Sequence, residues 1–252
     1  MHTLTPPVAA PVATRVRAYL GHELVADSRS VMLLRESPFK LFYCFPRMDI
    51  RDGILDPQSE QRSSTSLGTR AVYTVRAGGT SAEEAAFTYP EPEGAAKELG
   101  SYVGLVFDKL DRWLEKEEEL IGHPRDPWTR IDVRHSARRV IVRNDEVVVI
   151  DTRTPLVLLE TGLQLRYYVP EADVNWRYFT ESARTSVCPY KGRARYWTLT
   201  RDGGERQDAV WSYPQPLQDG EPLRDHYGLY HEKLDVEVDG RRLEEERFHF
   251  TK

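Results

Sequence analysis

The stretch Gly104-Leu105-Val106-Phe107-Asp108-Lys109-Leu110-Asp111 returns 124 residues later as Gly228-Leu229-Tyr230-His231-Glu232-Lys233-Leu234-Asp235. The same offset places residues 15–114 on residues 139–238 without a gap. Glycines, prolines and apolar positions stay in register throughout, including Asp27/Asp151, Glu36/Glu160, Tyr43/Tyr167, Gly68/Gly192 and Tyr89/Tyr213. A repeat that keeps all these residue types aligned indicates a duplicated fold and not merely a shared composition.

Each copy has about 100 residues, the usual size of a domain with its own core. The N-terminal stretch is rich in proline, alanine and valine, with no basic leader and no unbroken apolar run, so it predicts a disordered tail and not a signal peptide. We therefore expect this order: a tail over 1–13, a first repeat over 14–114, a linker over 115–138, a second repeat over 139–240, and a C-terminal tail over 241–252.

The composition limits the class of protein. The chain has 35 basic and 40 acidic side chains and a net charge of −5, which gives no general attraction to nucleic acid. Apolar runs such as Val147–Ile150 are far too short to cross a membrane. The two cysteines, Cys44 and Cys188, occupy non-equivalent repeat positions, which favours a reducing compartment and a cytoplasmic protein. The duplication suggests a monomeric pseudo-dimer, or a homodimer.

Short alternating segments predict strands in both copies, so the fold class is mainly β, with two tandem antiparallel domains. The matched pairs of segments are Val16–Leu20 with Val140–Arg143, Val31–Leu34 with Leu156–Leu159, Leu41–Phe45 with Leu165–Val169, Ala71–Arg76 with Arg195–Thr200, and Ala85–Tyr89 with Ala209–Tyr213. Gly78-Gly79 and Gly203-Gly204 mark turns. The polar segments 49–69 and 173–193 are interpreted as long loops, which are often functional.

The copies differ near their ends. Phe107, Leu110, Trp113 and Leu114 recur at spacings of three and four, which predicts a short linking helix continuing into the acidic run 115–119. Gly122 and Pro124 would end it. In the alternative interpretation, this segment forms the same strand as residues 234–238 of the second copy, and only the acidic run is helical.

The segment Thr185–Trp197 of the second copy has the most reactive side chains. Along its strand Arg195 and Trp197 share one face and Tyr196 takes the other, while Trp211 and Tyr213 share a face of the next strand. If these faces point inward, they form a pocket with aromatic walls and a cationic rim, suited to a planar or anionic small molecule. In the alternative interpretation, the aromatic residues are ordinary core and the charges a solvated edge.

The first copy serves as an internal comparison. Ser64, Thr65, Ser66 and Leu67 stand opposite Cys188, Pro189, Tyr190 and Lys191, and Ala71, Tyr73 and Phe87 stand opposite Arg195, Trp197 and Trp211. The framework persists while these reactive groups change. We therefore expect the second repeat to carry the activity and the first to be a supporting domain, unless the copies diverged because they face different neighbours.

A catalytic role is a second interpretation. Cys188, near Lys191 and Arg195, could act as a nucleophile, and Lys191 as an acid, base or electrostatic stabiliser, with His226 or His231 as a base. A small buried cysteine is the alternative. No metal-ligating motif, no phosphate-binding loop and no cofactor motif is present in the sequence. The recurrence of Glu36 and Glu160, together with Arg29 and Arg153, favours a structural ion pair.

The motifs of the second copy resemble a known family. Arg166-Tyr167-Tyr168-x-Pro170, Asp173-Val174, Ser182-x-x-Thr185-x-x-Cys188-Pro189-Tyr190-Lys191-Gly192-x-Ala194-x-Tyr196 and Ala209-x-Trp211-x-Tyr213-x-x-Pro216 closely resemble domain of unknown function 427. The first copy resembles a degenerate member that keeps Tyr43-x-x-Pro46 and Tyr89-Pro90-x-Pro92. Tandem forms are known in that family.

The resemblance implies a β-tent-like domain, in which two antiparallel sheets meet at a steep angle around a cleft, as in the thalidomide-binding domain of cereblon. Some relatives hold zinc through four cysteines, but this chain has two, so no metal is expected. The nucleotidyltransferase label sometimes given to the family needs a carboxylate pair in a glycine-rich context, which we do not find. The family-typical positions here are Arg153, Glu160, Tyr167, Asp173, Ser182, Thr185, Cys188, Tyr190, Lys191, Tyr196, Trp211 and Tyr213.

Three functions follow as hypotheses. The first is a small-molecule-binding protein with its cleft in the second repeat, lined by Tyr167, Thr185, Cys188, Tyr190, Lys191, Arg195, Trp197, Trp211 and Tyr213. The second is an enzyme of unknown reaction that uses Cys188 or Lys191. The third is a scaffold whose fused domains bind protein.

Overall fold

The computed structural model describes residues 6–62, 66–201 and 204–243. The chain divides into two compact units, Met1–Asp126 and Pro127–Lys252. Within the described residues, no helix is long and apolar enough to cross a membrane. Each unit is described by itself below.

The first unit consists of two antiparallel sheets. Its strands are β1 (Val8–Pro11), β2 (Val16–Leu20), β3 (Glu23–Ser28), β4 (Met32–Ser37), β5 (Lys40–Pro46), β6 (Leu55–Arg62), β7 (Thr69–Ala77), β8 (Thr80–Thr88), β9 (Tyr102–Leu105), β10 (Arg112–Glu115) and β11 (Glu118–Leu120). A seven-stranded sheet has the order β1-β4-β5-β9-β8-β7-β6, and a four-stranded sheet has the order β11-β10-β2-β3. Short 3₁₀ turns lie at Arg47–Asp49, Gly94–Leu99 and Phe107–Lys109.

The second unit repeats this plan strand by strand. Its strands are β12 (Ile131–His135), β13 (Val140–Asn144), β14 (Val147–Thr152), β15 (Leu156–Glu160), β16 (Arg166–Pro170), β17 (Phe179–Cys188), β18 (Gly192–Arg201), β19 (Gly204–Ser212), β20 (His226–Leu229), β21 (Asp235–Val238) and β22 (Arg241–Arg242). The sheets have the orders β12-β15-β16-β20-β19-β18-β17 and β14-β13-β21-β22. Its 3₁₀ turns are Glu171–Asp173, Trp176–Tyr178 and Gln218–Leu223. The prediction of a mainly β, duplicated fold is confirmed.

Irregularities of the ladders also recur. The pairing of β2 with β3 shifts between Ala18 and Tyr19, and that of β13 with β14 shifts at the equivalent residues. A second shift, between Tyr73 and Val75, has its counterpart between Trp197 and Leu199. Beside it, Glu84 and Asp208 occupy equivalent positions with positive φ angles of 53° and 51°. These β-bulges bend both hairpins in the same way.

The seven-stranded sheet of the second unit has a core on each face. An inner cluster fills the space between the two sheets and joins Val140, Val142 and Val236 to Tyr167, Val169 and Leu199. On the opposite face, an outer cluster contains Leu156, Leu158, Tyr168, Ala194, Tyr196, Trp211, Tyr213 and Leu223. The first unit has an equivalent outer cluster of Met32, Leu34, Phe42, Cys44, Leu67, Phe87, Tyr89, Ala96 and Leu99.

The predicted linking helix is wrong. Residues 112–115 and 118–120 form the hairpin β10–β11, and β10 pairs with β2 to complete the four-stranded sheet. Phe107 belongs to a 3₁₀ turn, and its ring stacks on Trp113 with centroids 5.0 Å apart. A 3₁₀ turn followed by a buried strand thus mimicked helical spacing. The alternative was correct that this segment forms the strand equivalent to β21, but wrong that the acidic run is helical, because Glu118–Leu120 form β11.

Four other expectations differ from the structure. Val8–Pro11, predicted as tail, pairs with β4, where an edge position tolerates the missing N–H of Pro11. Ile131–His135, predicted as linker, is the equivalent strand, and Arg241–Arg242 of the predicted C-terminal tail form β22. The supposed loops 49–69 and 173–193 contain β6 and β17, which are edge strands of the large sheets, and most polar side chains of β17 are exposed. Met1–Thr5, Gly203 and residues 244–252 lie outside the described part.

A glycine in the central strand of each large sheet makes room for an aromatic ring. Gly104 lies between Cys44 and Phe87, and Gly228 lies between Tyr168 and Trp211. A Cβ at Gly104 would overlap the Phe87 ring, and one at Gly228 would lie 2.5 Å from the Trp211 ring. Both repeats therefore have glycine at this position because an aromatic ring lies too close to the backbone to leave room for a Cβ.

We expect Gly104→Ala and Gly228→Ala each to lower the free energy of unfolding by about 2 kcal/mol, because the ring above must move out of a packed face. Gly204→Ala is the control, since its Cβ would meet no atom within 4 Å. Urea unfolding measures all three. Equal stability of Gly104→Ala and Gly204→Ala would contradict the packing argument.

Candidate functional site

The segment with the most reactive side chains forms a hairpin. Cys188 ends β17 and pairs with Gly192 at the start of β18, and residues 189–191 make the turn. The N–H of Leu217 donates to the carbonyl oxygen of Lys191 at 3.1 Å. This hydrogen bond from Leu217 holds the Lys191 backbone in place at the end of the turn. Of the first-repeat residues opposite this turn, Ser64 and Thr65 lie outside the described part.

The nine predicted ligand-binding residues do not share one surface. Trp211 and Tyr213 belong to the outer cluster, and Cys188 packs against it. Tyr167 and Trp197 contact the inner cluster on the other face of the sheet. Arg195 pairs with Glu181 at the exposed edge, where Thr185 is also exposed. Tyr190 is buried. The expected pocket that combined Trp197 and Arg195 with Trp211 is wrong, because alternation along β18 and β19 separates them.

Lys191 is a buried cation. Its ammonium pairs with the carboxylate of Glu160, and the side chains are only 7% and 10% exposed. A charge this deep in a protein is stable only when it is paired. The structural ion pair expected for Glu160 exists, but its partner is Lys191 and not Arg153.

The hydroxyl groups around this pair keep their protons. The Trp211 Nε1–H donates to the Tyr168 hydroxyl at 2.9 Å. Burial raises the pKa of Tyr168 and of Tyr213 well above the usual value for a phenol. Neither phenol can serve as a base near neutral pH, so the surroundings of Lys191 are a satisfied polar network within a packed core.

His231, one of the bases considered for Cys188, is also neutral. Burial, with a smaller contribution from the positive charge of Arg166, lowers its pKa to about 3. The backbone N–H of Tyr167 donates to Nε2 of His231 at 3.4 Å, which also requires an unprotonated nitrogen. In the first repeat the equivalent position is Phe107.

The first repeat keeps the buried carboxylate but takes its cation from another position. Glu36 pairs with Arg70 and, at 2.7 Å, with Lys40. The Tyr89 hydroxyl donates to Glu36 at 3.1 Å and accepts from Arg70 Nε at 3.0 Å. Burial raises the pKa of Tyr89 to about 12, so this donor persists.

The cation has thus changed place between the repeats. Leu67 stands where the second repeat has Lys191, and Ala194 stands where the first has Arg70. The first repeat has therefore not simply lost its charged site, as the comparison of residues 64–67 with 188–191 suggested.

A cavity of about 380 Å³ opens on the outer face of the first repeat. Its apolar lining includes Phe42, Val72, Phe87, Val106 and Phe107. Its charged lining includes Lys40, Arg70, Glu84, Asp108 and Lys109, with His123 beside them. The guanidinium of Arg70 lies over the Phe87 ring, 3.9 Å from its centroid. The cavity thus combines aromatic walls with a stacked cation.

The same region of the second repeat has larger side chains. Tyr196 and Tyr230 stand at the positions of Val72 and Val106, and the Tyr230 ring lies 4.4 Å from that of Trp211. The hydroxyl groups of Tyr196 and Ser186 are 2.6 Å apart. Two surface concavities of this repeat, of about 820 and 360 Å³, are lined mainly by charged residues, and neither lining contains a predicted ligand-binding residue.

Reasoning from the sequence missed Arg70, Lys40, Val72 and Val106. A usable signal existed in the aligned repeats. Leu67 is aligned with Lys191, and three residues later Arg70 is aligned with Ala194. The two exchanges together indicate that one positive charge has a different position along the same hairpin in each repeat. The aligned pairs Val72/Tyr196 and Val106/Tyr230 indicate that the first repeat has smaller side chains at these two positions, and so more empty volume there.

The fold and the site define a class of protein: a tandem-duplicated, mainly β chain in which each copy carries a largely buried, paired glutamate on the outer face of its large sheet. A family model described as a domain of unknown function (DUF427) matches residues 8–116 and again residues 132–240. The chain belongs to this family, in a tandem form. No curated protein matches the chain. Among the residues the structure describes, no three His, Cys, Asp or Glu side chains form a group that could hold a metal ion.

We expect Lys191→Met to lower the stability of the second repeat by about 3 kcal/mol, because it leaves Glu160 buried without a cation. Adding Glu160→Gln should recover much of that loss, since no buried charge then remains. Leu67→Met is the matched control, with the same residue introduced at the equivalent, uncharged position. Native-state hydrogen exchange of β18 and β19 provides the measurement. Strictly additive effects of the two substitutions would contradict the ion-pair assignment.

We expect His231→Phe, which introduces the first-repeat residue, to flatten the acid limb of the stability profile. The unfolded pKa is about 6.5 and the folded pKa is lower, so His231 contributes stability above pH ~6.5 that is lost as the pH falls towards 3. Urea unfolding at several pH values measures this. The exposed His135→Phe is the control, and an unchanged slope in His231→Phe would refute the burial argument.

Proposed function

We propose that this protein binds a small molecule in the outer-face cavity of the first repeat. The observation that carries the proposal is the cavity itself, in which the Arg70 guanidinium lies on Phe87 and the small side chains of Val72 and Val106 line the walls. Aromatic surface with a few fixed polar groups is the usual character of ligand sites. Its volume is at the lower end of the range of such sites, which favours a small metabolite.

The walls suit a planar ligand. The Phe42 and Phe87 rings meet edge to face with centroids 4.9 Å apart, so their orientation is fixed by mutual packing. Arg70 is held by Glu36 and Tyr89 as well as by Phe87. A preorganised site of this kind loses little conformational entropy when it binds.

The site proposed from the sequence, in the second repeat, is less well supported. Lys191, Trp211 and Tyr213 are each at least nine-tenths buried, and Lys191 is engaged by Glu160. The same pairing weakens the enzyme hypothesis, because a lysine acting as an acid or base would have to leave its carboxylate. Burial raises the pKa of the other thiol, Cys44, to about 12, so it is not a nucleophile at neutral pH.

Location and assembly belong to the proposal as well. A cytoplasmic protein fits two free cysteines at non-equivalent positions, Cys44 and Cys188. A monomeric pseudo-dimer, with a homodimer as the alternative, fits two fused copies of one fold.

We expect Val106→Tyr to abolish binding of small-molecule hits from a metabolite thermal-shift screen while the protein remains folded. The substitution introduces the residue that the second repeat has at this position, so it fills the cavity with a side chain the fold accepts. Val72→Tyr should act in the same way. Met48→Tyr, at a residue 89% exposed and outside the cavity lining, is the control. Hits that bind Val106→Tyr and the parent equally would remove the cavity from consideration.

A further inference from the structure

The polar end of the cavity carries more positive than negative charge. Glu36 is the shared carboxylate of two cations, Arg70 on one oxygen and Lys40 on the other. One carboxylate neutralises one of them. In the second repeat Glu160 pairs with Lys191, while Gln164 and Ala194 stand at the positions of Lys40 and Arg70. The excess of one cation is therefore specific to the first repeat.

This excess charge lies at the cavity and is shared between a half-exposed lysine and a largely buried arginine, since the Lys40 side chain is 53% exposed. Arg70 and Lys40 line the cavity, whereas the Glu36 side chain is 3% exposed and does not. The Arg70 side chain is 14% exposed, so solvent weakens its field less than that of a surface charge. Lys40 has three N–H donors, one of which its contact with Glu36 uses.

The outer part of the cavity is different. Glu84, Asp108 and Lys109 are exposed members of its lining. Their fields are screened by water and salt, and acidic and basic groups oppose each other there. Lys40 is exposed as well, but its ammonium lies 2.7 Å from Glu36 and 5.6 Å from the centroid of the Phe42 ring, so its charge is held beside the aromatic walls. The net attraction for a ligand is therefore strongest between Lys40, Arg70 and the phenylalanine rings.

We infer that the cavity binds a small aromatic monocarboxylate, with its ring against Phe42 and Phe87 and its negative charge towards Lys40 and Arg70. This inference rests on the proposed function and specifies the ligand class. An aromatic ring gains stacking contacts that an aliphatic one lacks. A single carboxylate neutralises the one excess cation without adding a second buried charge.

The test uses the full chain and four probes of similar size: phenylacetate, phenylacetamide, phenethylamine and cyclohexylacetate. Their dissociation constants are measured by NMR titration at low salt. We expect phenylacetate to bind about tenfold more tightly than the neutral amide or the aliphatic acid, and the amine to bind most weakly. Raising the ionic strength should weaken phenylacetate and leave the amide unchanged.

Lys40→Gln, which introduces the second-repeat residue, removes the excess charge while Arg70 keeps its pair with Glu36. We expect about tenfold weaker phenylacetate binding and unchanged phenylacetamide binding, whereas Lys109→Gln at the rim should have a smaller effect. Circular dichroism establishes that both variants are folded.

The outcomes separate the two levels of the proposal. If the amide binds as tightly as the acid and Val106→Tyr blocks both, the ligand class is overturned and the cavity remains a binding site. If phenylacetate does not bind at millimolar concentration, or binds Val106→Tyr as well as the parent, the inference is overturned. The second case also counts against the cavity itself.

Discussion

Each repeat places a glutamate under the outer face of its large sheet, 3% exposed at Glu36 and 10% exposed at Glu160, and pairs it with a cation. The pairing offsets the cost of desolvation, since an unpaired charge at that depth would destabilise the fold by about 3 kcal/mol. The position that supplies the cation then determines the surface above it. In the second repeat Lys191 reaches Glu160 from the hairpin turn, and the outer face is free to be packed with tyrosine and tryptophan. In the first, Arg70 supplies the charge from within the sheet, and its guanidinium remains part of that surface.

The two repeats can therefore be compared directly, as two sequences on one fold. Strand order, two of the β-bulges and the glycine beneath an aromatic ring are shared. Against that background, valine or tyrosine at two positions decides between a cavity and a packed surface. The equivalent tyrosines also differ between the repeats. Tyr89 donates a hydrogen bond to a carboxylate, whereas Tyr213 is a buried member of the outer cluster.

Much of the fold was accessible from the sequence because duplication and alternation are local patterns. Leu41–Phe45 and Ala209–Tyr213, for example, fall within strands β5 and β19 as expected. The helix at 107–114 was predicted wrongly because a 3₁₀ turn and a strand, each with its own geometry, together produced a helical spacing. The candidate site was harder. Trp197 and Trp211 lie on neighbouring strands, and their separation onto opposite faces depends on pairing and bulges that no single sequence reveals. The cavity depends on Val72 and Val106, which tertiary structure alone brings together.

The recurring bulges have a consequence for how this chain can change. An inserted or deleted residue within a bulged hairpin would turn every following side chain to the wrong face of its sheet. That would exchange the inner core for the outer surface along the whole strand. The copies have kept an offset of 124 over residues 15–114, and among the described hairpins only the last, β10–β11 against β21–β22, turns one residue out of register. Within the bulged hairpins, divergence of the two halves has thus been confined to substitutions.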